Sequence, residues 1–170
     1  MGTKNLNLSC FNMHGFNNGV TMSNSLCNIA DIISLEEHWL ASFNMDKLIS
    51  FHHDFAGYGW SAMEDKIQSG ILTGRPFGGL GLLVRKSLNA NISVVDIMYN
   101  RRCVAVKCSF KSNYILLLVI AYFPRFSNLT DYVCALSECL GFAEKIANMY
   151  AWVVTPKYLG MYFDTGKQLR

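Results

Sequence analysis

The sequence has no apolar run long enough to cross a bilayer. Its longest, YILLLVIAYF from Tyr114 to Phe123, falls far short of the roughly 20 residues a helical span needs and suits a buried strand. The N-terminal MGTKNLNLSC lacks a basic start followed by an apolar block, so it does not read as a secretory signal. Leu6 stands where a myristoylation pattern requires Ser or Thr, which excludes that anchor. No Lys/Arg-rich stretch supplies a nuclear address. Charged residues are also scarce, at 16% against 51% hydrophobic, and a chain so apolar folds into a core rather than remaining disordered. The net charge of +3 permits a polyanionic partner without requiring one.

Six cysteines are present, but no CxxC pair is among them. Cys103 and Cys108 are five apart in a predicted strand and point to opposite faces. Cys134 and Cys139 are five apart in a predicted helix, well off one another's face. This spacing argues against a zinc site and against a disulfide framework, and with no secretory signal the expected compartment is reducing. Most of the cysteines are expected to be small buried apolar groups.

Neither internal repeats nor a domain linker interrupt the 170 residues, enough for one domain with a real core or for most of a larger one. NLNLSCF (5–11) alternates as a strand does. Ser23 or Asn24 is positioned to cap a short helix through Ala30, and Asp31–Leu35 follows as a strand. Ala41–Ile49 reads as helical, Phe55–Met63 as an irregular edge strand carrying two glycines, and Glu64–Gly79 as a Gly-rich loop. Leu80–Arg85, Ile92–Ile97, Cys103–Phe110 and Tyr114–Ala121 read as four strands in a meander, the last two joined through Lys111-Ser112-Asn113. A long helix is predicted from Leu129 to Met149, with Ser127 as its cap and an apolar face of Leu129, Tyr132, Val133, Leu136, Leu140, Ala143 and Ile146. The expected class is α/β: two mainly antiparallel sheets packed face to face with helices outside.

Three polar residues, Asn12, Glu37 and Tyr122, each fall just past the end of a predicted core strand. Strand ends converging on one rim are a rigid place to build a site. A carboxylate there can hold Mg²⁺, which takes few protein oxygens and keeps water and substrate phosphate for the rest. An amide can orient a phosphate oxygen, and a phenol can donate to charge developing on phosphorus. By residue type alone, Asn12 is as well explained as a turn residue, Glu37 as a solvated loop carboxylate and Tyr122 as a cap on the core. Lys66 and Arg75, among the loop glycines, are candidates for contact with nucleic-acid backbone, or are simply solvated. His52-His53-Asp54 suggests a metal cluster, but adjacent histidines in a strand would face opposite ways.

Four segments in order, SCFNMHGF, DIISLEEHWL, GRPFGGLGLLVRKSL and LLLVIAYFPR, resemble the endonuclease/exonuclease/phosphatase superfamily. More narrowly, they are similar to the endonuclease domain of LINE-type (non-LTR) retrotransposons. In that family the first strand ends in Trp-Asn-x-x-Gly, here Phe11-Asn12-Met13-His14-Gly15. The second ends in Leu-Gln-Glu-x-Trp-Leu, here Leu35-Glu36-Glu37-His38-Trp39-Leu40. A later strand ends in Tyr-x-Pro, here Tyr122-Phe123-Pro124. The resemblance implies a four-layer α/β sandwich and Mg²⁺-dependent hydrolysis of DNA phosphodiesters, with Mn²⁺ as a substitute metal. It makes Asn12 the active-site amide, Glu37 and with it Asn12 the metal-binding residues, and Tyr122 the contact to the scissile phosphate. Glu36 falls where the family often has Gln. A nuclear, intracellular location and a reverse transcriptase in the same parent polyprotein are implied by the family alone.

The pattern departs from the family after the long helix. Ala151-Trp152-Val153-Val154 stands where a strand should run into Gly-Asp-x-Asn, but Thr155-Pro156-Lys157-Tyr158 follows, and no terminal Asp-His pair supplies a general base. The expectation is a domain over 5–154, incomplete at its C-terminus, with an unrelated tail at 155–170 and no activity in this form. Two other outcomes stay open. One is a phosphodiesterase or phosphatase acting on a small phosphorylated molecule or lipid; the other is a non-catalytic remnant.

Overall fold

The computed structural model describes residues 5–71, 74, 77–111, 114–123 and 128–150. The described residues form seven strands and four α-helices, and the strands sort into two sheets. The first contains β1 (Leu8–Asn12), β2 (Ile32–Glu36), β3 (Phe55–Trp60) and β4 (Leu80–Arg85) in the spatial order β1-β2-β4-β3. β1 and β2 run parallel, connected by helix α1 (Phe16–Leu26), while β4 is antiparallel to both β2 and β3. The second sheet is a meander of β5 (Asn91–Ile97), β6 (Cys103–Ser109) and β7 (Ile115–Ala121). Short helices α2 (Asp46–Ile49) and α3 (Glu64–Gln68) flank β3, and α4 (Leu129–Met149) ends the described region.

Alternation along each strand builds the layers. In β2, Ile33 and Leu35 face outward and pack with Met13, Cys27, Leu48, Phe55 and Leu83 beneath α1 and α2. Ile32 faces the other way and meets Leu80, Leu82, Val84, Val104, Val106 and Ile120 between the sheets. Strand β6 is covered on both sides: Val104 and Val106 look inward, while Cys103 and Ala105 pack against Cys139, Phe142 and Ile146 of α4. Helix, sheet, sheet and helix thus stack as four layers around two buried sheet faces. Each fully buried Leu or Ile contributes on the order of 1.5–3 kcal/mol, so the pattern of strand alternation accounts for most of the fold.

Several expectations are corrected. The strand at 80–85 does not begin a four-stranded meander; β4 lies between β2 and β3, because its side chains are buried on both faces and can serve only as a central strand. The helix after β1 starts at Gly15 (φ 96) rather than at Ser23 or Asn24, since the glycine turns the chain at once into α1 and Ser23 is buried within it. Residues 64–68 form α3 within the predicted loop. The cap of α4 is Asn128, whose side chain accepts a hydrogen bond from the Asp131 backbone N–H at 2.8 Å; Ser127 lies outside the described residues. The buried face of α4 is Ala135, Cys139, Phe142 and Ile146. Leu129, Val133 and Leu140, expected inside, are 66%, 48% and 43% exposed. The helix is apolar around much of its girth, and the face that meets Met98, Cys103 and Ala105 is the one through Cys139, Phe142 and Ile146. The expected boundary at 154 and the tail at 155–170 lie outside the described residues.

At one end of the sandwich Asp31 and Arg85 form an ion pair at 3.3 Å. Arg85 also donates to the carbonyls of Cys27 and Ala30 and stacks over Phe55, while Asp31 accepts from the Asn7 N–H. Every one of these partners ties chain to chain, so this end is structural.

At the opposite end the segment after β2 is held by His38, which is fully buried. Its Nδ1 accepts from the Leu40 N–H at 2.9 Å, so Nε2 carries the proton and donates to the Leu80 carbonyl at 3.1 Å. Burial pushes its pKa down to about 4, only partly opposed by the backbone hydrogen bonds. The folded chain therefore resists a proton that the unfolded chain accepts below its ordinary value of 6.5. Stability is then full above pH 6.5 and falls as the pH drops toward 4, by at most about 3 kcal/mol. Urea unfolding across this window is expected to show that slope, and His38→Gln is expected to flatten it while lowering stability at neutral pH.

Candidate active site

The two strands that carry the sequence motifs are zipped together beyond their ends. Asn12 pairs with Glu36 in the β1–β2 register. The Met13 N–H donates to the Glu36 carbonyl at 2.8 Å, Gly15 N–H to Glu37 at 2.8 Å and Phe16 N–H to His38 at 2.9 Å. On the other side Trp39 N–H donates to the Gly78 carbonyl at 2.9 Å. The glycines are there because the backbones come so close. A Cβ on Gly15 (φ 96) would lie 2.6 Å from the Trp39 ring, and one on Gly79 (φ 92) would lie 2.4 Å from the His38 ring.

This packing forces unusual backbone. Among the described residues five non-glycine positions have positive φ, and three of them, His14 (47), Glu37 (52) and Trp39 (55), belong to this one knot. Left-handed backbone costs on the order of 1–2 kcal/mol at each such residue, and strain of this kind concentrates at functional sites. Its consequence is visible at Glu37. In an extended continuation of β2 its side chain would follow Leu35 toward the helix layer. The left-handed turn instead brings it against the second sheet.

There the Glu37 carboxylate is bracketed. The Tyr122 hydroxyl, one residue past β7, donates to Oε1 at 2.6 Å, and His14 Nδ1 lies 3.0 Å from Oε2. The Glu37 side chain keeps 15% of its exposure, so it is confined but still open to solvent. Burial, and then the bond to Glu37, push the Tyr122 pKa above the ordinary phenol value. Tyr122 is therefore a protonated donor at neutral pH. Its own backbone N–H is fixed to the Arg102 carbonyl at 2.8 Å, and the Arg102 charge acts on the phenol from nearby.

Asn12 is on the same rim with its Oδ1 accepting from the His14 N–H at 3.0 Å. The turn role open from the sequence is thus real, and the amide NH₂ remains the group able to reach a ligand. Glu36 takes a different partner: its Oε1 accepts from the Cys10 thiol at 2.8 Å, and burial together with that carboxylate pushes Cys10 up to about 12. The two adjacent glutamates therefore have different jobs. Lys66 sits on α3 with its ammonium over the Phe77 ring at 5.2 Å, beside the glycines that cradle the rim. Arg75 lies outside the described residues. His52, His53 and Asp54 are not in a strand; they form a turn in which the two rings stack at 4.5 Å. Their ligand atoms lie within 4.8 Å of one another, so the two histidines are not held on opposite faces of a strand.

Sequence reading missed His14, His38 and Arg102. The first two lie inside the motifs themselves, at positions the pattern leaves variable. Arg102 had a signal only in its place one residue before a core strand. As to chemistry, the rim offers one confined carboxylate, a neighbouring amide, a protonated phenol and an imidazole. Oxygen donors dominate, which suits a hard divalent cation with few protein ligands.

Protein-family models and curated protein sequences gave no match to the chain. Solved structures do match in fold. An AP endonuclease from Archaeoglobus fulgidus superimposes with TM-score 0.52 at 10% identity, covering 84% of this chain and 50% of that one. The AP endonuclease LMAP from Leishmania major gives 0.54 at 12%, covering 84% and 47%. The human Nocturnin catalytic domain with bound sulfate anion gives 0.51 at 12%, covering 84% and 59%. The chain has the fold of the endonuclease/exonuclease/phosphatase proteins and spans about half the length of the structures it matches. Among the described residues no helix is long and apolar enough to cross a membrane.

The role of close packing at the rim is testable with two glycines. Gly70 (φ 69) has nothing within 4 Å of an added Cβ, so Gly70→Ala is expected to cost only the conformational penalty, about 1 kcal/mol. Gly79→Ala adds a clash with His38 and is expected to cost at least about 2 kcal/mol more. Urea denaturation of the two variants measures the difference, and equal losses would show that the His38 contact is not required.

Proposed function

We propose that this chain carries the glutamate-centred part of a metal-dependent phosphodiesterase site acting on DNA, of the LINE-type endonuclease kind. The observation that supports it most is the convergence of Glu37, Tyr122 and Asn12, from three strands in two sheets, on one rim of a fold shared with AP endonucleases. In this reading Glu37 is the protein ligand to Mg²⁺ or Mn²⁺, with Asn12 beside it. The metal, when bound, supplies Lewis-acid polarisation of a phosphate oxygen.

The remaining roles belong to the chain's own groups. Tyr122 is held protonated and aimed at the carboxylate. On substrate entry its O–H turns to a phosphate oxygen and donates to the negative charge that grows there. Asn12 orients a second phosphate oxygen through its NH₂. His14, a partner of Glu37 at 3.0 Å, keeps the carboxylate in place before a ligand arrives. Lys66, over Phe77 at the edge of the rim, and Arg75 contact the DNA backbone, adding salt-dependent affinity without sequence preference. A reverse transcriptase in the same parent polyprotein belongs to this reading as the source of the nicked end's use.

Two measurements test the reading, the first on the chain itself. Mn²⁺ binding, followed by water-proton relaxation, is expected to weaken at least about tenfold in Glu37→Gln. In a version extended with the strands that the family pattern has after the long helix, nicking of supercoiled plasmid with Mg²⁺ is expected to fall roughly a hundredfold or more in Tyr122→Phe and in Glu37→Gln. Hydrolysis of p-nitrophenyl phosphate without nicking would move the substrate to small phosphate esters. Equal Mn²⁺ affinity in the wild type and Glu37→Gln would overturn the site.

A further inference from the structure

Away from the rim, the chemically active groups left unused are cysteines. Cys103 opens β6 and is fully buried; Cys139 lies on the buried face of α4 and is 5% exposed. Local spacing pairs Cys103 with Cys108 and Cys134 with Cys139, and neither pair can meet. The packing of α4 on the second sheet instead joins one member of each. The two Sγ atoms are 3.0 Å apart, with the Cys103 thiol donating to the Cys139 sulfur, across 36 positions of sequence.

We propose that Cys103 and Cys139 form an oxidation site that hydrogen peroxide closes to an intramolecular disulfide, stapling α4 to the second sheet. A disulfide needs the sulfurs only about 1 Å closer than they already are. The direction of the chemistry follows from the hydrogen bond. It holds the Cys139 thiol below its ordinary range, helped by the nearby Arg102 charge, and pushes Cys103 above. Cys139 is therefore the attacking sulfur. Its small exposed fraction limits access to a small oxidant, and peroxide is little larger than water.

The step balances with peroxide as the two-electron oxidant. The Cys139 thiolate attacks one peroxide oxygen, the O–O bond breaks, and the departing hydroxide takes up the proton that Cys139 released. Cys139 is then a sulfenic acid. The Cys103 sulfur attacks it, the S–O bond breaks as S–S forms, and the second hydroxide leaves as water with the Cys103 proton. Two thiols and one peroxide give one disulfide and two waters.

The other cysteines do not compete by the same route. Cys10 is paired with the Glu36 carboxylate and pushed up to about 12, which keeps it a poor nucleophile. Cys134 is exposed and lies on the same helix, so it is the internal control. The disulfide closes a long loop and restricts the unfolded chain, and it adds a covalent tie to the packing of Phe142 and Ile146 of α4 on the second sheet.

The test is peptide mapping of the whole chain after peroxide treatment, with denaturation and alkylation before digestion. The Cys103 and Cys139 peptides are expected joined, lighter by two hydrogens and separated again by dithiothreitol. The thermal midpoint of the oxidised chain is expected to rise by several degrees, and Cys139→Ala to abolish both changes. Recovery of Cys103 and Cys139 as alkylated thiols while Cys134 is oxidised would overturn the proposal, as would a cross-link between any other pair. Because the map is made on the wild-type chain, the result stands even if a variant fails to fold.

Discussion

Everything at the rim depends on one buried imidazole. His38 replaces the strand hydrogen bonds that β2 gives up when it ends, joining the Leu40 N–H to the Leu80 carbonyl through its ring. A polar side chain without exposure is tolerable only if both nitrogens are bonded, and this one meets the condition with backbone on either side. In doing so it sets the distance between the segment after β2 and the start of β4. Gly79 is the counterpart that makes room for it. With that clamp in place Glu37 cannot relax into extended backbone, and its carboxylate is delivered across to the second sheet.

The site is consequently a junction between sheets rather than a feature of either one. Glu37 and Asn12 belong to the first sheet and Tyr122 to the second. A phenol and a carboxylate 85 positions apart in sequence meet at 2.6 Å because the sheets pack face to face through Ile32, Leu80, Leu82, Val104, Val106 and Ile120. Any loss of order in that apolar layer would separate the two groups before it unfolded either sheet. The opposite end shows the contrast. Asp31 and Arg85 are fully paired with each other and with backbone carbonyls, an amide and a ring, and a saturated pair of this kind offers nothing to a ligand.

The second sheet and α4 are joined more simply. Ala105, Cys103 and Met98 meet Cys139, Phe142 and Ile146 in a small cluster, and small residues at the helix–sheet contact bring the backbones close. The same closeness that lets α4 settle on β6 brings two thiols into contact. Leu129, Val133 and Leu140 of the helix are left outward.

Alternation and turn chemistry along the chain determined most of the strands, the length of α4 and the three motif positions, since each depends on residues within a few places of one another. The ordered motifs also pointed to the endonuclease/exonuclease/phosphatase fold that the chain adopts. Which strand pairs with which, the membership of β4 in the first sheet, the face that α4 buries and the meeting of Cys103 with Cys139 were decided only by tertiary structure. The same holds for the split between the two glutamates: adjacent in sequence and identical in chemistry, they differ because Glu36 is still extended and meets Cys10, while Glu37 is left-handed and meets Tyr122. A local pattern can mark where a strand ends, but the direction of the next side chain is set by what packs around the turn, and here those neighbours come from distant parts of the sequence.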